Sequence, residues 1–449
     1  MIPMRTDEIA AVTGGRVHEG ARHLDERGGE GVVTGVSIDS RAVEPGDLFV
    51  ALRGGRTDGS RFADSALASG AVAALVPEGS GGPGRIEVDD PVRAFGAVAR
   101  AVRDRAHARV VGITGSTGKT STKDILAALI APHAHVVASR QNENNELGVP
   151  LTLCRIDAET EVAVVEMAMR GPGQIRELAE IAGPEIALVT TVGPVHLELL
   201  GTVERVAAAK AELLEAIPDD GVAVVPHGDA LLEPHLRRLR CPVVTFGREA
   251  DADVRLFDFR RVDGGGEAEI GLRGRTLTVP VNVTSQHNAL NLTAAIAVYD
   301  QLGLPLEDVA AGARDIRLSR WRGEEMAMPG GGLLIADCYN ANPASMVAAL
   351  THLVDAAGGR RLVAVLGDMA ELGPDGPGHH QSIGELARTL GIDEVVAVGP
   401  LARGYGGTWA GTVEEAVERL NALLRPGDAV LVKGSRSMGL ERVVAELAP

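Results

Sequence analysis

Apolar residues along the chain gather in short continuous runs, and most of these runs are followed by a stretch with helical period. Val110-Val111-Gly112-Ile113-Thr114 is one such run, and helical spacing over residues 119–130 comes after it. The pattern recurs at 161–167 with 173–181, at 186–192 with 203–216, and at 222–225 with a short helix. Buried strands alternating with helices predict a parallel sheet covered on both faces. Over 253–283 the period shortens to that of strands with one wet face, around Gly264-Gly265-Gly266, which predicts an antiparallel appendage at the sheet edge. A helix over 287–302 follows.

A second alternating series closes the chain. Strands are predicted at 333–336, 362–366, 395–398 and 429–432, with helices at 344–355, 381–390, 413–424 and 440–447, a small doubly wound domain. Ahead of both series, residues 35–41, 47–52 and 72–76 read as strands, 61–71 as a helix, 79–84 as a loop, and 92–106 as a helix leading onward. A chain of 449 residues allows roughly three domains. The fold class is therefore α/β in three domains: a small α/β N-terminal domain (1–105), a central P-loop domain with a doubly wound, mainly parallel sheet and the antiparallel appendage (106–317), and a C-terminal Rossmann-like domain (318–449).

Composition narrows the function. Aromatic residues are 2% of the chain, so the cores rest on Ala, Val and Leu. A net charge of −17 argues against a nucleic-acid partner, which needs a basic face. The first residues lack the apolar core of a signal peptide, and no apolar run approaches the roughly 18 residues of a membrane span, so no membrane insertion is expected. Cys154, Cys241 and Cys338 are scattered without metal-binding spacing; they fit a reducing cytoplasm and are expected in cores.

The candidate chemistry begins where the strand at 110–114 runs into Gly115-Ser116-Thr117-Gly118-Lys119-Thr120. Glycines there let backbone N–H groups turn toward an anion, Lys119 supplies a point charge for outer phosphates, and the Thr120 hydroxyl can hold Mg²⁺. A strict Walker A loop has glycine at the position of Ile113. The bland alternative, a glycine turn that binds nothing, is disfavoured by the strand before the loop and the Lys-Thr after it. Glu166 ends the next strand, at a place where a metal ligand could stand beside Thr120; a solvated or capping Glu is the alternative. His196 follows a third strand, either as a site contact or as a hydrogen-bonded loop residue. Lys210, in Ala207-Ala208-Ala209-Lys210, reads as a surface lysine on a good helix former. The amides of Asn288 and Asn291 could read a base edge or cap a helix. Asp337-Cys338-Tyr339-Asn340-Ala341-Asn342-Pro343 is a dense polar turn after a strand, and His133 and His135 read as structural.

Taken together these motifs resemble the Mur ligase family nearly end to end. Gly115 to Thr120 matches the family's loop, and Asn142-Glu143-Asn144-Asn145-Glu146-Leu147-Gly148 its amide-rich stretch. The resemblance makes Glu166, His196 and Lys210 site residues with Lys119, the lysine as a carbamate, which reverses the surface reading of Lys210. It implies two Mg²⁺ ions held by Thr120, Glu166, His196 and Lys210. It assigns Gly115, Ser116, Thr117, Gly118, Lys119, Thr120, Ser121, Asn288, Asn291, Arg322 and Asp337 to ATP. It assigns Ser37, Asp39, Ser40, Arg41, Asp58 and Asn144 to a UDP-linked muramoyl tripeptide. Leu366-Gly367-Asp368-Met369-Ala370-Glu371-Leu372-Gly373 and Lys433-Gly434-Ser435-Arg436 point to the dipeptide-adding branch, and Asp-Asn-Pro-Arg, carried by the diamino-acid-adding relative, is absent. Asn340, Asn342 and Ser435 are then the candidates to hold D-alanyl-D-alanine. The implied activity is ATP-driven amide formation in a cytoplasmic monomer whose last domain closes on hinges near 105 and 318. A GTP switch would carry Asn-Lys-x-Asp, which is absent, and a folylpolyglutamate-type synthetase would lack the ~105 residues ahead of the loop.

Overall fold

The Val- and Ala-rich runs form strands and the amphipathic stretches form covering helices in the computed structural model, which describes residues 1–18, 31–55 and 57–448. Among the described residues the central sheet has nine strands, in the order Arg275–Val281, Gly265–Leu272, Val254–Val262, Val243–Gly247, Val222–Pro226, Ile186–Val189, Arg109–Thr114, Val162–Glu166, Val136–Ala138. The pairs from Val254–Val262 to Val136–Ala138 are parallel, and the two outer pairs are antiparallel, as the shortened period predicts. The chain leaves Arg109–Thr114 toward one edge and returns to build toward the other, so this strand marks the topological switch point. Ligand crevices form at the carboxyl ends of strands at such points.

The helix Lys119–Ile130 has the bounds its spacing predicts, and it buries Ile125, Leu126 and Leu129 in one core with Leu292 and Ile296 of the helix Gln286–Gln301. The strands Val136–Ala138 and Val243–Gly247 extend the sheet; the second carries exposed and half-buried positions that blur its pattern.

The first sheet has the order Arg16–Val17, Arg85–Val88, Ala73–Pro77, Asp47–Val50, Gly35–Ser37. The helix expected over 61–71 is shorter. A 3₁₀ turn, Gly59–Phe62, precedes Ala63–Ala68, because the Asp58 side chain accepts from Ser60 N and winds the entry. The helix Pro91–Arg105 starts with proline in its first turn and Asp90 accepting from Val92 N and Arg93 N. Its Phe95, Val98 and Val102 share a core with Val149, Leu153 and Leu178, which ties the first sheet to the central one.

The last sheet has the order Glu324–Met328, Gly332–Ala336, Ala429–Lys433, Leu362–Gly367, Glu394–Val398, Thr408–Ala410, parallel except for its first hairpin. The helix expected from 381 starts earlier, as Gly376–Thr389, since Pro377 suits a first turn. All three cysteines are buried. Among the described residues no helix is long and apolar enough to cross a membrane.

Candidate functional site

Two glycines shape the loop at the switch point. A Cβ on Gly115 would lie 1.9 Å from Thr190 Oγ1, and one on Gly118, whose φ is +80°, would lie 2.5 Å from Asn291 Oδ1. The loop therefore packs against the next strand end and the Gln286–Gln301 helix, with no room for larger residues. Thr191 secures it, accepting from Ser116 N at 2.8 Å through its carbonyl and from Thr117 N at 3.0 Å through its hydroxyl. Lys119 Nζ folds back to donate to Gly115 O at 2.8 Å. Burial pushes this ammonium below its ordinary pKa, with Glu166 opposing and Arg322 reinforcing the shift.

Beside the loop, a cavity of about 910 Å³ opens between the central and last domains. Ser116 to Ser121, Asn144, Glu166, His196 and Asn291 line it from the central side. Arg322, Asp337, Tyr339, Asn340, Asn342, Lys433 and Arg436 line it from the other. The first turn of the Lys119–Ile130 helix, whose N–H groups have no intrahelical acceptors, is part of the wall.

Glu166 is 1% exposed; its Oε1 accepts from Asn144 Nδ2 at 2.8 Å, and its Oε2 is buried with no hydrogen-bond partner among the described residues. A buried carboxylate oxygen left bare costs several kcal/mol unless something binds it. Thr120 Oγ1 accepts from Arg322 Nη2 at 3.2 Å across the domain junction. The Arg322 guanidinium also stacks 4.0 Å from the Tyr339 ring.

Lys210 corrects the surface reading of the sequence. It is 2% exposed, on the same buried side of the helix Val203–Glu215 as Val206, Leu213 and Leu214. No described residue gives it a hydrogen bond or an ion pair. Burial, with the Lys119 charge adding to it, holds its pKa well below that of an ordinary lysine. His196 stands in the left-handed region at φ +52°, and its Nδ1 is hydrogen-bonded to Glu371 Oε2 of the last domain. Burial lowers the pKa of His196, and Glu371 only partly offsets this.

Asn288 lies behind the cavity wall and accepts from Asn291 Nδ2 at 3.0 Å. Asp337 is held by Lys433, whose Nζ donates to Asp337 Oδ2 at 2.7 Å and to Asn340 O at 3.1 Å. Two of the three candidates for the dipeptide are engaged in holding backbone. Asn342 caps the helix Pro343–Ala356 through Ser345 N and donates to Ser116 O at 3.3 Å, and Ser435 Oγ accepts from Ala370 N at 2.9 Å.

Ser37, Asp39, Ser40, Arg41 and Asp58 lie on the first domain, where hydrogen bonds link Ser37, Asp39 and Arg41, and Asp58 is held separately by Ser60 N. Ser37 Oγ donates to Asp39 O at 2.9 Å, and Arg41 holds Asp39 in a two-pronged pair that brings its pKa down to about 2. None of these five lines the cavity; Asn144 does, bound to Glu166. Sequence reasoning left Glu371, Lys433 and Arg436 without roles. Their position at or just after strand ends of the last sheet was the available signal.

The chain belongs to the Mur ligase family. Residues 113–299 match the Mur ligase middle domain, 321–436 the Mur ligase, glutamate ligase domain, and 32–131 the Mur ligase family, catalytic domain. The chain is 37% identical over 429 residues to the UDP-N-acetylmuramoyl-tripeptide–D-alanyl-D-alanine ligase of Synechocystis sp., a match covering 92% of each chain. The structure superposes on the crystal structure of MurF from Acinetobacter baumannii with a TM-score of 0.89 at 28% identity, over 99% of this chain and 98% of that one. MurF ligase from Thermotoga maritima in complex with ADP gives a TM-score of 0.83 at 30% identity, covering 92% of this chain and 96% of that one.

Proposed function

We infer that this chain is an ATP-dependent ligase that adds D-alanyl-D-alanine to UDP-N-acetylmuramoyl tripeptide, forming the pentapeptide precursor of peptidoglycan. The observation that carries the reading is a phosphate-binding loop beside a bare buried carboxylate oxygen and an unpaired buried lysine, in a chain similar to such ligases along nearly its whole length.

In this reading the tripeptide's terminal carboxylate oxygen attacks the γ-phosphorus of ATP and ADP leaves. The dipeptide amine then attacks the acyl carbon, the C–O bond to phosphate breaks, phosphate departs, and the amine gives up a proton. Two anions must meet in the first step, so charge neutralisation and positioning are the protein's task. Lys119 and the loop N–H groups of Gly115 to Thr120, with Ser121, hold the triphosphate, Arg322 and Asp337 approach it from the last domain, and Asn288 with Asn291 frames the base side. Thr120, Glu166, His196 and Lys210 fit a pair of Mg²⁺ ions, because the bare Oε2 of Glu166 is a donor waiting for a cation. Bound Mg²⁺ would screen the phosphates from the attacking carboxylate. Lys210 fits a carbamate for a related reason: burial favours its neutral amine, which adds CO₂ with loss of one proton.

Residues 1–105 are the part that takes the uridine-nucleotide end, through Ser37, Asp39, Ser40, Arg41 and Asp58, with Asn144 serving the same substrate at the cavity. Residues 106–317 take ATP and 318–449 the dipeptide, near Asn340, Asn342 and Ser435. Arg436 lines the cavity, 51% exposed and paired with Glu441 at 3.0 Å, and is a cation on the dipeptide's side of it. Closure on hinges near 105 and 318, a monomeric state and a cytoplasmic setting complete the reading. The test is phosphate release from ATP with the UDP-tripeptide, with and without D-alanyl-D-alanine. Release should depend on the dipeptide; equal release with a single free diamino acid overturns the assignment.

A further inference from the structure

We propose that Glu371 is a positioning residue for His196, so that a central-domain site group takes its working orientation only while the last domain is docked against it. The proposal rests on the reading of His196 as a metal contact and adds a residue and a coupling to it.

Glu371 and His196 are 175 residues apart and belong to different domains, yet their side chains are directly hydrogen-bonded. The backbone docks at the same place. Glu198 N donates to Glu371 O at 3.2 Å, and Gly373 lies so close that a Cβ there would stand 3.4 Å from Glu198 N. Both partners are held in the left-handed region, at φ +52° for His196 and +63° for Glu371. Non-glycine residues keep that conformation only where their surroundings enforce it.

The loop that presents Glu371 is fixed on its own domain without using that carboxylate. Asp368 Oδ1 accepts from Ala402 N at 2.7 Å, Met369 N donates to His380 Nε2 at 2.9 Å, and Ala370 N donates to Ser435 Oγ at 2.9 Å. The Glu371 carboxylate has His196 as its one side-chain partner among the described residues. Its bond occupies Nδ1 of His196 and fixes the ring, leaving Nε2 without a partner among the described residues, on a residue that lines the cavity. A histidine that binds a metal through one ring nitrogen commonly donates its other N–H to a carboxylate, which sets both tautomer and orientation. Here the carboxylate comes from the domain that carries the incoming substrate, so the orientation depends on docking.

The test uses the full chain with a non-hydrolysable ATP analogue and Mn²⁺ as the probe, read by electron paramagnetic resonance, alongside steady-state phosphate release. Glu371→Ala should weaken Mn²⁺ binding and lower kcat by roughly 10–100-fold, with the KM for ATP within about twofold of the parent. Glu371→Gln keeps an acceptor for the imidazole N–H and should recover much of both. If Glu371→Ala does not fold, Glu371→Asp, one methylene short of Nδ1, carries the same expectation. Mn²⁺ affinity within about twofold of the parent in Glu371→Ala, or in Glu371→Asp where it stands in for it, overturns the proposal, as does a His196→Ala, Glu371→Ala double variant whose losses add independently. The reading of His196 is separable: it falls, and the proposal with it, if His196→Ala alone leaves Mn²⁺ binding unchanged.

Discussion

Two of the places where the central and last domains meet carry charged groups built in opposite ways. At the outer contact Arg261 donates to both oxygens of Glu325, at 2.8 and 2.9 Å, and His352 Nε2 shares Oε1 at 2.7 Å. The carboxylate is held from several sides, across the hairpin of one domain and the helix of the other. At the cavity Asp337 and His196 have partners, but three groups stand apart among the described residues: Lys210 is buried without a hydrogen bond or ion pair, Glu166 Oε2 has no donor, and Lys119 reaches only a backbone carbonyl. Folding by itself favours the first arrangement, because a buried charge without a partner costs more than its packing returns. The second persists where something absent from the chain completes it, which is why unpaired buried charges mark sites.

The sharpest way to break this contrast is to remove one of the lone buried amines. Lys119→Ala should lower turnover by roughly 10³-fold or more, measured as phosphate release, while the melting temperature stays level or rises. A loss of stability matching the loss of activity would make the two regions alike. Lys210→Ala should cost about 10²-fold or more in turnover and regain part of it with added short carboxylates. Full activity without rescue would return Lys210 to a packing role.

The outer contact should respond in stability instead. Glu325→Ala leaves Arg261 with Thr284 O but no carboxylate and should destabilise the chain by about 2 kcal/mol in denaturant unfolding, with little change in the KM for ATP. The smallest effect is its pH dependence. Burial would raise the Glu325 pKa, but the hydrogen bonds from His352, Arg261 and Thr284 outweigh it and hold the group well below the usual carboxylate range. Its folded pKa is depressed, so its contribution is fully present above the unfolded value near 4.5 and is lost as pH falls toward the folded value. The gap between parent and Glu325→Gln should therefore narrow below pH 4.5, by about 1.4 kcal/mol per pH unit at most. A gap that widens with acid would overturn the pairing.

Much of the fold was legible because continuous apolar runs and helical spacing are local signals. Lys119–Ile130 and Val203–Glu215 stand where their periods place them. The misses have local causes too: Asp58 winds a 3₁₀ turn into the start of a helix, and Gly376-Pro377 conceals the start of another. Glu166 and His196 drew notice because they sit at strand ends. The Ala-rich stretch around Lys210 carries no mark of which face the sheet covers, so its burial was invisible from residue pattern, and only the family resemblance singled it out.

The sequence alone determined the strand–helix order, the glycine loop and the residue types that can hold phosphate, since these follow from spacing and backbone freedom within a few residues. Tertiary structure decided which charges are paired and which are bare. It buried Lys210, left Glu166 Oε2 without a donor, and brought Glu371 across a domain junction to His196. Desolvation and hydrogen-bond completion depend on every group that arrives from elsewhere in the chain, and no local pattern records those arrivals.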